Sequence, residues 1–174
     1  MPRKSFYIFK DEKIEVGWLA GDNSKTKHFS LIVPPECEIT GISVYMRSEM
    51  YGGWCNGAYT RLKINGWEAC KVTWGVNDTS PKECRKDVTG IVSKGSNEFT
   101  VECHKDPIGC FAPRTWKVTV LLTVEYEGKE PDITPPAPDW EWIKQYVPWI
   151  AVALVAGVLG VEVIKRESRK KSRR

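Results

Sequence analysis

Apolar and polar residues alternate with period two through most of the first 128 positions. Trp116, Val118, Val120, Leu122, Val124 and Tyr126 interleave with Lys117, Thr119, Leu121, Thr123 and Glu125, as in a strand with one buried face. Phe99, Val101 and Cys103 repeat the pattern, as do Ile42, Val44 and Met46, then Phe29, Leu31 and Val33, then Ile14, Val16 and Trp18. Asn65-Gly66 separates RLKI from WEACKV and is the two-residue signal of a tight hairpin. Pro and Gly clusters punctuate these runs, and no long amphipathic helical window occurs. The pattern predicts an all-β sandwich of about seven to nine strands over residues 1–128.

The pattern then changes twice. Residues 129–141 carry prolines at 131, 135, 136 and 138 and read as a semi-rigid stalk without ladder or helix. At about 3.1 Å per residue, eleven such residues would span roughly 34 Å. From Tyr146 to Ile164 the chain reads YVPWIAVALVAGVLGVEVI, with Glu162 its one charge. That length gives roughly 28 Å of helix, close to the hydrocarbon thickness of a bilayer. Trp140, Trp142, Tyr146 and Trp149 crowd its upstream end, where an aromatic belt would meet headgroups. A transmembrane helix over 142–164 is therefore expected, with membrane lipid as its partner. Ala153, Ala156, Gly157 and Gly160 form a small-residue stripe on it, the kind of stripe through which helices self-associate.

Charge sharpens this picture. The chain has 26 Lys+Arg and 22 Asp+Glu, but the excess lies in the tail, 165–174. Lys165, Arg166, Arg169, Lys170, Lys171, Arg173 and Arg174 give that tail +6, leaving the rest at −2. A near-neutral body is no nucleic-acid-binding domain. Such a tail belongs on the cytoplasmic side, with the body outside. Yet the N-terminus offers only the short apolar run SFYIF, too short for the core of a signal peptide. Three arrangements stay open. The body is exported without a recognisable signal, or the start is different or processed. Alternatively the body stays where it is made and the tail crosses, as in a virion with an internal membrane. The tail would then face packaged DNA; on a cell it would lie against anionic cytoplasmic lipid.

The runs LKINGWEA, DVTGIVSKGSNEFTVEC and WKVTVLLTVEYEG resemble the second half of a galactose-binding-like jelly roll. Asn65, Gly66, Asp87, Val88, Thr89, Gly95, Asn97, Phe99 and Val101 carry the resemblance, which covers about 65 residues, Leu62 to Tyr126. Asp87 and Thr89 suit a turn bonded to its own backbone, and Gly95 and Asn97 suit positive φ before the next strand. The resemblance implies a jelly-roll β-sandwich. It also implies a module that is often non-catalytic, binding glycans or other surfaces or serving structure alone.

Cys37, Cys55, Cys70, Cys84, Cys103 and Cys110 all lie in the body. An even count in a small β domain reads as a disulfide framework, with fifteen possible connectivities. Cys103 and Cys110, flanking HKDPIG, are the pair expected first. Zinc is disfavoured because no C-x-x-C occurs and Cys103-His104 is too close for usual ligand spacing. Disulfides point to an oxidising compartment, hyperthermophile interiors being the exception. Asn77-Asp78-Thr79 is a glycosylation acceptor by sequence, usable where the loop is translocated.

No G-x-S-x-G, H-E-x-x-H or phosphate-cradling loop is present, and two histidines, His28 and His104, leave little for His-based catalysis. Asp78, Glu83 and Asp87 read as solvated or backbone-capping acids. The expectation is a non-enzymatic protein without cofactor, metal or catalytic residues. The chemistry-bearing stretch is SEMYGGWCNGAYTR, where Tyr51, Trp54 and Tyr59 sit among small and turn-forming residues. Three uses stand open for it. The aromatics stack on sugar rings while Asn56 and Arg61 supply hydrogen bonds, or they anchor a protein contact, or Trp54 packs inward beside a Cys55 disulfide. The sequence thus predicts a jelly-roll sandwich displayed by a single-pass anchor, structural or adhesive, in a virion as a membrane-to-capsid link or on a prokaryotic envelope. Its partners would be capsid or envelope proteins. The alternative is a glycan-binding receptor on the same scaffold.

Overall fold

The computed structural model describes residues 1–135 apart from Ala20, Trp54 and Pro107. They form nine strands: β1 (Arg3–Val16), β2 (Asp22–Ile32), β3 (Cys37–Tyr51), β4 (Ala58–Ile64), β5 (Trp67–Trp74), β6 (Lys82–Asp87), β7 (Gly95–His104), β8 (Arg114–Gly128) and β9 (Asp132–Thr134). A four-stranded sheet in the order β1-β8-β3-β6 faces a five-stranded sheet in the order β5-β4-β7-β2-β9. Every pairing is antiparallel. From β1 to β8 the chain changes sheet at each connection except the β4–β5 hairpin, which is the jelly-roll strand order.

The period-two residues fill the space between the sheets. Trp116, Val118, Val120, Leu122 and Val124 of β8 are fully buried, and Ile42, Val44 and Met46 of β3 oppose Phe99, Val101 and Leu62 from the other layer. Asn65 and Gly66 hold φ of 52° and 83°, the pair of left-handed residues that a two-residue hairpin needs, and Ile64 pairs with Trp67 across them. Thr89 N–H donates to Asp87 Oδ1 at 2.9 Å, and Gly95 takes φ of 89°, both as the resemblance implies. Asn97 does not. It has no positive φ and lies buried inside β7 as a hydrogen-bonding hub.

Three other expectations are corrected. Trp18 does not continue the inward series of Ile14 and Val16: β1 ends at Val16, a turn follows, and Trp18 is 71 % exposed. The proline-rich segment does form a ladder at its start. Asp132–Thr134 pair with Ile32–Ser30 as an edge strand between Pro131 and Pro135, and Ile133 is buried there. The body therefore runs past 128, and less of the segment is left as a spacer. The cysteines pair as Cys55–Cys110 and Cys70–Cys84, while Cys37 and Cys103 are free and buried. Cys103 cannot reach Cys110 because it continues the inward series of Phe99 and Val101. Its Sγ lies 3.7 Å from Thr60 Oγ1, and burial pushes the thiol up to about 12, which leaves it inert.

No helix among the described residues is long and apolar enough to cross a membrane. The rest of the expected stalk from 136, the expected helix over 142–164 with the stripe Ala153, Ala156, Gly157 and Gly160, and the basic tail lie outside the described residues.

Candidate functional site

Of the five residues expected to form one aromatic loop, the four described ones are distributed over three places. Tyr51 ends β3 opposite Thr115 of β8, on the outer face of the four-stranded sheet, and its hydroxyl donates to Glu49. Asn56 is exposed in the loop 52–57, and Trp54 lies outside the described residues. Tyr59 and Arg61 belong to β4, whose Ala58, Thr60, Leu62 and Ile64 point inward. Period two therefore turns both of them onto the outer face of the five-stranded sheet.

The loop 52–57 instead forms part of a stapled apex where β3, β7 and β8 end or begin. The Cys55–Cys110 disulfide ties it to the loop 105–113. Beside it Lys105 has no exposed surface, and its Nζ donates to the carbonyls of Cys110, Phe111 and Ala112 at 2.9, 3.2 and 2.9 Å. Burial, and then Arg114, pull the pKa of this ammonium below the ordinary lysine value. Lys105 N–H also donates to Gly21 O at 2.8 Å, joining the loop that precedes β2. From this anchored end Trp18, Leu19, Ile108 and Phe111 project with 60 % or more of their surface exposed.

On the outer face of the five-stranded sheet, Glu102 of β7 is the centre of a charge network. It accepts from Arg61, from Lys63 at 3.2 Å and from the Tyr59 hydroxyl at 3.0 Å. Burial alone would raise its pKa, but these donors outweigh burial and hold the carboxyl below its usual range. The Tyr59 ring stacks on His104 with centroids 4.6 Å apart, Lys71 Nζ lies 4.5 Å from its centroid, and His104 Nδ1 meets Asp22 Oδ1 at 2.6 Å. The His–Asp contact has no serine or cysteine hydrogen-bonded to the imidazole among the described residues. The three acids expected to be solvated or capping are occupied locally: Asp78 by Ser80 and Lys82, Glu83 by Arg47 at 3.9 Å, and Asp87 by Thr89.

Glu102 makes a pH dependence testable. Its folded pKa lies below its unfolded value, so its contribution is complete above roughly pH 4.5 and is lost as pH falls through the folded pKa. Between pH 5 and pH 3 the thermal midpoint of Glu102→Gln is expected to fall less steeply than that of the parent. Parallel curves would show that the network adds nothing in this window.

Two of the surface hollows lie on or beside the four-stranded sheet. One of about 550 Å³ crosses the outer face of the four-stranded sheet between Arg3 and Arg85. One of about 320 Å³ lies at the start of β3 beside Glu36, Glu38 and Glu127. Among the described residues no group of three or more His, Cys, Asp or Glu is placed to hold a metal ion. Arg3, Tyr45 and Arg85 had no motif to announce them. The available signal was strand parity, which turns Tyr45 away from the buried Val44 and Met46.

No protein-family model matches the chain, and no curated protein is recognisably similar to it. Among solved structures, the chain is similar to infectious bursal disease virus Gx strain at 12 % identity and a TM-score of 0.45, over 79 % of this chain and 33 % of that one. It is similar to dimeric latent PorU from Porphyromonas gingivalis at 7 % identity and 0.47, over 72 % and 13 %. With the FMN-binding beta-glucuronidase from Facaelibacterium prausnitzii L2-6 the values are 16 % and 0.38, over 69 % and 22 %. The chain thus spans a third or less of the length of these three structures, and its own strand order, a jelly-roll β-sandwich with two disulfides, defines its fold.

Proposed function

We propose that this is a non-enzymatic, single-pass membrane protein that displays a jelly-roll body in a structural or adhesive role. The setting would be a virion, linking membrane to capsid, or a prokaryotic envelope. One observation carries the reading: the apolar run Tyr146–Ile164, with aromatic residues before it and a +6 tail after it, follows a stapled sandwich in the sequence. The ionisable groups of the five-stranded face pair with one another, Glu102 with Arg61 and Lys63 and His104 with Asp22. The tail then lies against anionic lipid or packaged DNA, and the body faces capsid or envelope proteins.

The test is sedimentation of the full-length chain after cell disruption. It is expected in the membrane pellet, resistant to alkaline carbonate and released by detergent. Recovery in the high-speed supernatant without detergent would overturn the anchor. In sealed particles, protease that trims the body and spares the tail places the body outside; the reverse pattern reverses the topology. The glycan-binding reading keeps its support from the hollow on the four-stranded sheet, since Tyr51, Asn56, Tyr59 and Arg61 do not share one surface.

A further inference from the structure

The outer face of the four-stranded sheet is ordered in rows by its register. Tyr7, Leu121, Tyr45 and Arg85 stand opposite one another across β1, β8, β3 and β6, and paired residues of antiparallel strands share a face. The next row is Ser5, Thr123, Ser43 and Asp87, and the third is Arg3, Glu125 and Gly41. An apolar and aromatic row thus lies beside a row of hydroxyls, with arginines at opposite corners. In the third row the Glu125 side chain leans over Gly41, and the hollow of about 550 Å³ lies over Arg3, Ser43, Tyr45, Arg85, Leu121 and Thr123, within the size range of ligand sites. Four strands at about 4.8 Å spacing make the face roughly 14 Å wide.

The cations here differ from those of the charge networks nearby, where Arg61 pairs with Glu102, Lys25 and Lys27 with Glu12, and Lys117 with Asp11. Among the described residues no carboxylate lies within ion-pair distance of Arg3, Arg85 or Lys86, the three cations of the hollow. Arg85 sits over the Tyr45 ring at 5.0 Å. A cation–π contact of this kind leaves guanidinium N–H donors for another partner. Two acids, Asp87 and Glu125, line the same hollow, Asp87 already accepting from Thr89 N–H. Asp87 and Glu125 favour a ligand that carries hydroxyls beside each carboxylate, because the hydroxyls donate to these acids while the carboxylates reach the arginines.

We propose that this face binds acidic oligosaccharides: Arg85 and Arg3 take uronate carboxylates, the Ser43–Thr123 row and the two acids take hydroxyls, and Tyr45 and Leu121 support the apolar face of a sugar ring. This deepens the adhesive reading of the body. The full-length chain in neutral detergent is titrated calorimetrically with a 1,4-linked galacturonate tetramer and with its methyl ester. The acid is expected to bind at least tenfold more tightly than the ester. Arg85→Gln and Arg3→Gln are each expected to remove about tenfold from the acid alone, while Tyr59→Ala on the other sheet changes neither. Neither arginine makes an ion pair among the described residues, so both variants should melt within a few degrees of the parent. Equal affinity for acid and ester, binding indifferent to both arginine variants, or no binding of either tetramer overturns the proposal. Sedimentation of the chain is independent of these outcomes, so failure of the groove and failure of the anchor are told apart.

Discussion

Asn97→Ala is expected to destabilise the body by about 3 kcal/mol, a loss of roughly 10 °C in thermal midpoint for a domain of this size. The Asn97 side chain is 1 % exposed and uses both ends of its amide. Oδ1 accepts from Ser93 N–H and from Asn65 Nδ2, each at 2.9 Å, while Nδ2 donates to Ser93 O at 2.7 Å and Gly95 O at 2.9 Å. Asn65 in turn donates to Ile91 O and accepts from Glu98 N–H, both at 2.9 Å. One side chain therefore shapes the loop before β7 and locks it to the β4–β5 hairpin. Removal leaves a cavity and several polar groups of which water can reach only the outer ones. Asn97→Asp keeps Oδ1 but turns a carboxylate oxygen on the carbonyls of Ser93 and Gly95 in a buried site, so at neutral pH it should cost at least as much as alanine. Thermal melts of the full-length variants measure this, and a loss below 1 kcal/mol for alanine would show that water replaces the network.

The β architecture was readable because burial imposes period two on every strand. Asn65-Gly66 was readable because two successive left-handed residues are costly for other residue pairs. What failed concerned which loops meet. Cys103 and Cys110 are close in sequence, but parity with Phe99 and Val101 commits Cys103 to the core, and Cys55 reaches Cys110 only because the two loops share an end of the sandwich. Parity in β4 likewise separates Tyr59 and Arg61 from Tyr51, although only seven residues lie between Tyr51 and Tyr59. Lys105 was the hardest to foresee. A lysine is almost never fully buried unless paired, and its partners are backbone carbonyls, which leave no mark in a sequence. The groove residues were hidden for a related reason: Arg3 and Arg85 are distant in the chain and become neighbours of one hollow only through the order β1-β8-β3-β6.

Converting Cys55 and Cys110 together to alanine should cost about 4 kcal/mol, more than the about 3 kcal/mol expected for the Cys70/Cys84 pair. The chain-entropy argument orders them by the loops they close, 55 residues against 14. The two staples also differ in what they hold. Cys70–Cys84 joins the edge strands β5 and β6 across the two sheets, where strand pairing already fixes the backbone. Cys55–Cys110 joins two loops whose remaining restraints are Lys105 and a few close approaches, such as Gly57 against Asp106. Lys105 binds the carbonyl of Cys110 itself, so disulfide and ammonium restrain the same turn of chain. Their losses should therefore not add. Lys105→Met alone leaves three carbonyls without their donor, but in the reduced apex the loop can move out to water. A double-mutant cycle on thermal melts is expected to give a combined loss at least 1 kcal/mol smaller than the sum. Simple additivity would mean that the loop 105–113 keeps its shape without the disulfide, and that the exposed Trp18, Ile108 and Phe111 owe their fixed positions to backbone contacts alone.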